Sequence, residues 1–158
     1  MMNKIMFVCH GNICRSPMAE FILKDMLSKE KISGIEVCSR ATSTEEIYNG
    51  IGHPVYPQAK AELKKHSIGC EGKRAVQLKK SDYNKYDVFF CMDRANIRNA
   101  TRIFGSDPDC KVKLLLELTD KGGEVSDPWY TDRFDVAYAD IHAGCAKIIE
   151  LIKNSDSE

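Results

Sequence analysis

Short apolar runs alternate with amphipathic segments along most of this chain. Four runs of four or five residues, at 5–8, 35–38, 88–91 and 112–116, are rich in branched or aromatic side chains. Runs of this length and composition favour buried strands over helices. We therefore predict four strands.

Helical spacing fills the segments between and after these runs. Apolar residues at 18, 21, 22 and 26 repeat at the period of a helix, and one apolar stripe continues from Phe134 to Ile152. Residues 59–66 and 93–103 are weaker helical candidates. The alternation predicts an α/β fold, a single three-layer domain over residues 1–158 with helices on both faces of a four-stranded parallel sheet.

Two stretches, at 41–56 and 120–132, resist regular assignment because they are dense in Gly, Pro, Thr, Ser and Asp. In an open parallel sheet the ligand site lies beyond the carboxyl ends of the strands, where such loops gather. We therefore expect both irregular stretches beside a functional site.

Composition and charge argue against some functions. Lys and Arg together number 23, and so do Asp and Glu, so the formal net charge is zero. A nucleic-acid binder normally shows a strong basic excess, and nothing here favours electrostatic docking on a membrane. The first apolar stretch is too short for a signal peptide, and no run approaches the roughly 18 residues of a transmembrane helix. The odd number of cysteines, seven, favours free thiols in a reducing cytoplasm.

Residues 8–17, which read VCHGNICRSP, carry the strongest chemical signal. They follow the first predicted strand and precede the first predicted helix. A loop of this length can turn successive backbone N–H groups around an anion, and the helix adds the positive end of its dipole. Gly11 and Asn12 tolerate unusual backbone angles, and Arg15 offers a planar fork for two phosphate oxygens. We predict a phosphate-binding loop.

Cys9 is the candidate nucleophile of this loop. The positive surroundings favour its thiolate form, and Ser16 is placed to donate a hydrogen bond that helps the thiolate leave in a second step. Two plainer interpretations are a buried structural cysteine and a metal ligand. Cys9 and Cys14 lack a second cysteine pair at ligand spacing, and Arg15 opposes a cation, so we predict no metal and no other cofactor.

A second signal is the sequence SDPWY at residues 126–130. Chemistry at the loop needs an acid to protonate the leaving oxygen, and Asp127 lies in a stretch able to fold over the pocket. Trp129 and Tyr130 can form walls for a flat aromatic ring. The residues alone leave open that Asp127 merely opens a turn before Pro128 and that the two aromatic side chains serve packing.

The two motifs, in this order and in a chain of this size, resemble those of the low-molecular-weight protein tyrosine phosphatases over essentially the whole length. The resemblance implies a phosphatase with Cys9 as the nucleophile, Arg15 as the phosphate clamp and Asp127 as the acid and then the base. It implies a phosphotyrosine-containing protein or peptide as substrate and inhibition by phosphate- or vanadate-like anions. It also implies a supporting hydrogen-bond network made of Asn12, Ser16, Ser39 and His66.

The predicted substrate-binding residues lie on the loop and on two flanking segments: His10, Gly11, Asn12, Ile13, Cys14, Ser16, Tyr48, Trp129 and Tyr130. Relatives often wall the pocket with an aromatic side chain from the loop after the second strand, and Tyr48 is the nearest candidate. His10 either tunes Cys9 or faces solvent. The chain departs from the family at residues 39–43, where SRATS replaces the usual Ser-Ala-Gly-Thr pattern, and at Ser67, where relatives usually have glycine.

Three other functions remain open. Protein-arginine phosphatases resemble this chain, but they carry threonine at the position of Ile13 and a small residue at that of Tyr130. An arsenate reductase would share the cysteine–arginine loop, but it needs a redox pair that the scattered downstream cysteines do not resemble. A silent phosphate-binding module would not need an intact nucleophile, clamp and acid.

Overall fold

Six strands organise the structure, a computed structural model that describes residues 2–156. They are β1 (Lys4–Cys9), β2 (Glu36–Ala41), β3 (Ile47–Tyr48), β4 (Ile51–Gly52), β5 (Val88–Cys91) and β6 (Val112–Leu114). Four of them form a parallel sheet in the order β2-β1-β5-β6, which confirms the predicted sheet. The other two, β3 and β4, pair as a short antiparallel hairpin.

Five helices connect or follow the strands: α1 (Arg15–Lys29), α2 (Pro57–Lys65), α3 (Arg94–Phe104), α4 (Pro128–Thr131) and α5 (Phe134–Asp156). The first, second, third and fifth overlap the four predicted helical segments. Within residues 2–156, no helix combines the length and the apolar character that crossing a membrane requires.

Strand β1 divides the interior into two cores because successive side chains of a strand point to opposite faces. Ile5 and Phe7 pack into the larger core with α1 and α5, while Met6 and Val8 pack into a smaller core with α3. Helices therefore cover both faces of the sheet, as predicted. The strands are apolar on both sides for the same reason.

The structure corrects several predicted boundaries. Leu115 and Leu116 do not extend β6 but form a 3-10 turn, residues 115–118, and both stay buried beside α5. An apolar run cannot by itself distinguish these two buried conformations. Strand β2 begins at Glu36 and continues to Ala41, because Cys9 is still paired with Ala41.

The two irregular stretches also contain short regular elements. The first holds the β3–β4 hairpin, and the second holds α4. The first stretch begins where β2 ends, at the sheet edge at which β1 and β5 also end. The loop after β1 lies at that edge, so this edge carries the chemistry-bearing residues.

Candidate active site

A cavity of ≈ 420 Å³ opens over the loop that joins β1 to α1. The loop residues from Cys9 to Arg15 form one part of its lining. The remaining lining comes from the two irregular stretches: Glu45, Glu46, Asp127, Trp129 and Tyr130. The structure thus brings the cysteine, the arginine and the distant aspartate of the sequence motifs to one cavity.

The Cys9 sulfur lies within reach of two donors. Its Sγ is 2.9 Å from the Ser16 Oγ and 3.3 Å from the backbone nitrogen of Asn12. The Ser16 Oγ accepts a hydrogen bond from Asn12 Nδ2 at 2.8 Å, so the serine's own proton is available to Cys9. This arrangement stabilises negative charge on the sulfur. Ser16 itself is fully buried beneath the loop and is not part of the cavity lining.

Asn12 is the centre of the supporting network. It adopts the left-handed backbone conformation, with a φ of 60°, which asparagine tolerates better than most residues. Its amide donates to Ser16 and, at 2.9 Å, to Ser39, while its Oδ1 accepts from the backbone nitrogen of Val76 at 3.0 Å. Ser39 in turn donates to Glu20 at 2.6 Å. A chain of directed hydrogen bonds therefore runs from a buried carboxylate to the Cys9 sulfur.

Gly11 differs from the sequence expectation because it has no positive φ, so Asn12 is the only residue between Cys9 and Arg15 with a positive φ. The glycine instead allows a close approach. A Cβ added to Gly11 would lie 3.2 Å from the Cγ of Glu46, which is tighter than an ordinary van der Waals contact. Gly11 therefore brings the loop close to Glu46, on the cavity wall.

Arg15 is held by partners on two other segments. Its Nη1 donates to Asp93 Oδ2 at 2.9 Å and to the carbonyl of Val125 at 2.8 Å, and its Nη2 lies 3.5 Å from Asp127 Oδ2. Burial opposes the charge, but the nearby charges of Cys9, Asp127 and Asp93 outweigh it and raise the pKa of Arg15. The guanidinium is therefore a fixed, permanent cation.

Asp93 belongs to the site but is not among the residues predicted from the sequence. It follows β5 closely, at the end of a buried apolar run, and its side chain also caps α3 by accepting from Asn96 N at 2.8 Å. An acidic residue just beyond the carboxyl end of a central parallel strand is the signal that could have identified it.

Asp127 combines two of the interpretations left open by its sequence. Its Oδ1 accepts from the Trp129 backbone nitrogen at 3.0 Å and so caps α4, as a turn-opening residue would. Its Oδ2 lies toward Arg15, and the residue lines the cavity. Capping therefore fixes the carboxylate beside the cavity. Trp129 and Tyr130 follow on the exposed face, at 61% and 85% exposure.

The structure does not place Tyr48 in the cavity lining. The tyrosine belongs to the β3–β4 hairpin and is 75% exposed to solvent. Glu45 and Glu46, just before the hairpin, line the cavity instead. His10 is half-exposed, and its Nε2 lies 3.1 Å from Glu45 Oε2, so it contacts a carboxylate of the cavity lining and not Cys9. The other carboxylate, that of Glu46, lies 2.7 Å from His53 Nδ1.

His66 also lies outside the network that the family resemblance assigned to it. Its Nε2 is 3.2 Å from Glu62, and its ring stacks on Tyr138 of α5 at 3.7 Å. The residue follows the last turn of α2, which directs the ring toward α5 and away from the loop.

Lys73 joins the network where His66 was expected. Its Nζ donates to the Ser39 carbonyl at 3.0 Å and lies 3.7 Å from Glu20. Burial lowers the pKa of Lys73, although the Glu20 charge opposes that shift. Nothing in the local sequence distinguishes this lysine from an exposed one.

Ile13 and Cys14 both line the cavity, as predicted. Cys14 is also the buried N-cap residue of α1. Burial first, and then the charges of Cys9 and Asp127, raise the pKa of the Cys14 thiol to about 12. Cys14 is therefore a neutral thiol beside the candidate nucleophile at neutral pH.

A parallel α/β sheet with a cysteine–arginine loop after its first strand is the arrangement of a cysteine-dependent phosphatase. Comparison with known proteins makes this specific. The profile described as "Low molecular weight phosphotyrosine protein phosphatase" matches residues 4–158. The chain belongs to this family and is a phosphatase.

The relatives include the low molecular weight protein-tyrosine-phosphatase PtpA of Staphylococcus haemolyticus, 34% identical over 94% of this chain and 92% of the relative. The crystal structure of YfkJ from Bacillus subtilis superposes with a TM-score of 0.90 at 30% identity, covering 98% of this chain and 97% of that one. A Drosophila arginine phosphatase, DARP, superposes with a TM-score of 0.84 at 25% identity, covering 97% and 98%.

Proposed function

We propose that this chain hydrolyses phosphotyrosine monoesters through a phosphocysteine intermediate on Cys9, with Arg15 as the phosphate clamp and Asp127 as the acid and base. One observation carries the proposal: a buried thiol with two donors, a fixed guanidinium and a capped carboxylate line a single cavity whose outer wall is aromatic. These are the parts that phosphoryl transfer from an aryl ester requires.

In the first step, the Cys9 thiolate attacks phosphorus as the bond to the tyrosine oxygen breaks. Arg15 stabilises the charge on the phosphoryl oxygens, with Asp93 and Val125 preventing its fork from turning. Asp127 transfers its proton to the leaving phenolic oxygen, so tyrosine departs as the neutral phenol. The products are phosphocysteine and an Asp127 carboxylate.

In the second step, that carboxylate removes a proton from water as the water oxygen attacks phosphorus. The bond between sulfur and phosphorus breaks, and the electron pair returns to the Cys9 sulfur. Ser16 and the Asn12 backbone N–H stabilise the departing thiolate. Inorganic phosphate leaves, and both Cys9 and the protonated Asp127 are regenerated for the next turnover.

The cavity favours phosphotyrosine by reach and by its walls. A tyrosine ring holds its phosphate farther from the peptide than serine does, and Trp129 and Tyr130 stand where that ring would pass. Phosphate- and vanadate-like anions would inhibit by occupying the same loop. We also propose a cytoplasmic location, where the reducing environment would keep the Cys9 thiol free.

Protein-arginine phosphatase activity is the second candidate, since one structural neighbour carries that name. Ile13 argues against this activity. Its branched apolar side chain lines the cavity and suits contact with an aromatic ring, but it has no hydroxyl that could form a hydrogen bond with a guanidinium. We expect Ile13→Thr to narrow or reverse a preference for phosphotyrosine over phosphoarginine, measured as kcat/KM. Ile13→Val is the control, because valine has the shape of threonine without its hydroxyl. This variant should keep the preference for phosphotyrosine.

A panel of matched peptides carrying phosphotyrosine, phosphoarginine, phosphoserine or phosphothreonine tests the proposed function, with chelator present and reductant absent during turnover. The expected order of kcat/KM is phosphotyrosine first, phosphoarginine well behind it and phosphoserine barely hydrolysed. A wild-type preference for phosphoarginine would overturn the substrate assignment and leave the nucleophile unaffected.

A further inference from the structure

A second, smaller cavity of ≈ 150 Å³ lies directly beside the candidate active site. Trp129 lines both cavities, so they share one wall. The other main walls of the second cavity are the rings of Tyr56 and Phe134 and the side chain of Asp132. Its size suits one side chain rather than another phosphotyrosine.

The aromatic walls of the second cavity are held in a fixed arrangement. Tyr56 stacks on Phe134 with ring centroids 6.1 Å apart, and Trp129 meets Tyr56 edge-on at 5.5 Å. The backbone nitrogen of Tyr56 donates to the Ile13 carbonyl at 2.9 Å, which ties this wall to the phosphate-binding loop. Aromatic faces attract cations that come within about 6 Å of the ring centroid.

Asp132 adds a negative charge to the same cavity. It ends α4 in the left-handed conformation, with a φ of 59°, and its backbone nitrogen donates to the Pro128 carbonyl at 2.8 Å. In the part of the chain that the structure describes, no hydrogen bond or ion pair engages its carboxylate. The adjacent cation, Arg133, is committed to Asp135 through contacts of 3.0 and 2.9 Å.

The surroundings reinforce the charge preference. Glu45 and Glu46 stand at the mouth of the neighbouring cavity, and the only Lys or Arg among the described residues lining either cavity is Arg15, which is paired with Asp93. An aromatic cavity with an available carboxylate and an acidic rim is complementary to a cation on an aliphatic stem. An acidic side chain would be repelled there.

From this geometry we infer that the second cavity is a subsite for a lysine or arginine side chain of the substrate, next to its phosphotyrosine. The inference rests on the proposed function and adds to it a class of substrate: phosphotyrosine peptides with a basic residue at a defined distance from the phosphotyrosine. Because Trp129 lines both cavities, the two side chains would bind next to each other, both within reach of the same indole ring.

The test scans lysine, norleucine and glutamate through the positions flanking phosphotyrosine in one peptide and measures kcat/KM. Norleucine keeps the aliphatic stem and lacks the charge. We expect one position at which lysine exceeds norleucine by about fivefold, the range of an exposed cation–π contact with a nearby carboxylate. Asp132→Asn should bring that ratio close to one. Asparagine suits the left-handed backbone, so the change removes only charge.

Two controls separate the outcomes. Asp109→Asn removes the same charge from the loop before β6, at the opposite edge of the sheet, and should leave the lysine preference intact. Turnover of 4-nitrophenyl phosphate, which has no flanking residues, should be unchanged by Asp132→Asn and so reports that the variant is folded. Should the variant not fold, the wild-type comparison of arginine with citrulline at the same position decides the question.

Equal kcat/KM for lysine and norleucine at every position would overturn the subsite, as would a lysine preference that Asp132→Asn leaves unchanged. Failure to hydrolyse any phosphotyrosine peptide, with aryl phosphate still hydrolysed, would instead overturn the proposed function. The two failures are therefore distinguishable in one experiment.

Discussion

At the residue scale, the role of Asp127 is best tested with a substitution that keeps its capping hydrogen bond. Asp127→Asn keeps the side-chain oxygen that accepts from Trp129 and removes the proton that the leaving oxygen needs. General acid–base catalysis typically contributes a factor of 10²–10⁴ to the rate. We therefore expect kcat on a phosphotyrosine peptide to decrease by a factor of about 10²–10⁴. The loss should be much smaller on an aryl phosphate whose phenol is a good leaving group.

The comparison across leaving groups provides the control for this prediction. Structural damage would lower activity on both substrates alike, whereas loss of an acid penalises the poorer leaving group. Equal losses on the two substrates would assign the acid role to another residue.

Cys14 supports a second prediction at this scale. Peroxide oxidises the Cys9 thiolate to a sulfenic acid with release of water or hydroxide, and the neighbouring Cys14 thiol can condense with it to a disulfide, releasing water. With a pKa raised to about 12, Cys14 is not itself the first target at neutral pH. We expect peroxide inactivation to be reversed by dithiothreitol in the wild type and much less completely in Cys14→Ser.

Cys110→Ser is the matched control because Cys110 is exposed and distant from the loop in sequence. Activity recovered after peroxide and dithiothreitol should match the wild type in this variant. Recovery by Cys14→Ser as complete as that of the wild type would show that Cys14 serves packing alone.

At the scale of elements, the packing of α5 over the 3-10 turn depends on Gly144. A Cβ at this position would lie 2.5 Å from the Leu115 Cγ, and Leu115 is fully buried. Alanine gains about 1 kcal/mol over glycine in a helix interior, but overpacking a core typically costs about 1–3 kcal/mol. We expect Gly144→Ala to lower the free energy of unfolding by about 1 kcal/mol, measured by urea denaturation.

The neighbouring exposed residue calibrates this estimate. Ala143→Gly changes helix propensity without a packing contact and should cost about 1 kcal/mol. A stabilised Gly144→Ala protein would show that α5 shifts freely and that the close contact does not constrain it.

Elements with a strong period were predictable, and short or turning ones were not. The buried runs of β1 and β5 and the long stripe of α5 carry their periods over enough residues to define type and position. Hairpin β3–β4 and helix α4 span two to four residues each, too few for a period. The 3-10 turn at residues 115–118 is apolar for the same reason as a strand, since both are buried.

At the scale of the whole molecule, the site depends on contacts between distant parts of the chain. The loop motif and Asp127 were identifiable because their residue types and order are unusual. Asp93, Glu45 and Lys73 reach the site only through the order of the sheet and the path of the loops, which no local pattern encodes. The predicted positions of Tyr48 and His66 differ from the structure for the same reason. Glu45 and Glu46 line the cavity and Tyr48, two residues further along the chain, does not, while His66 contacts Glu62 and Tyr138 instead of the loop.

The distribution of charged residues over the folded molecule is a second property of this scale. The net charge of the chain is zero, yet Glu45, Glu46, Asp127 and Asp132 collect around the two adjoining cavities. A composition total cannot show such a local excess, and it is this excess that leads us to expect basic residues near the substrate phosphotyrosine.

The central claim is that phosphate passes through the Cys9 sulfur. The most direct measurement mixes enzyme with a rapidly reacting aryl phosphate, quenches with acid within the first turnover and reads the protein by mass spectrometry. We predict an added mass of one phosphoryl group, mapped to Cys9, that accumulates further in Asp127→Asn because its hydrolysis needs the base. Cys9→Ser should show neither adduct nor turnover while still binding vanadate. Turnover by Cys9→Ser within about tenfold of the wild type, or a phosphoryl group mapped to any other residue, would contradict the account.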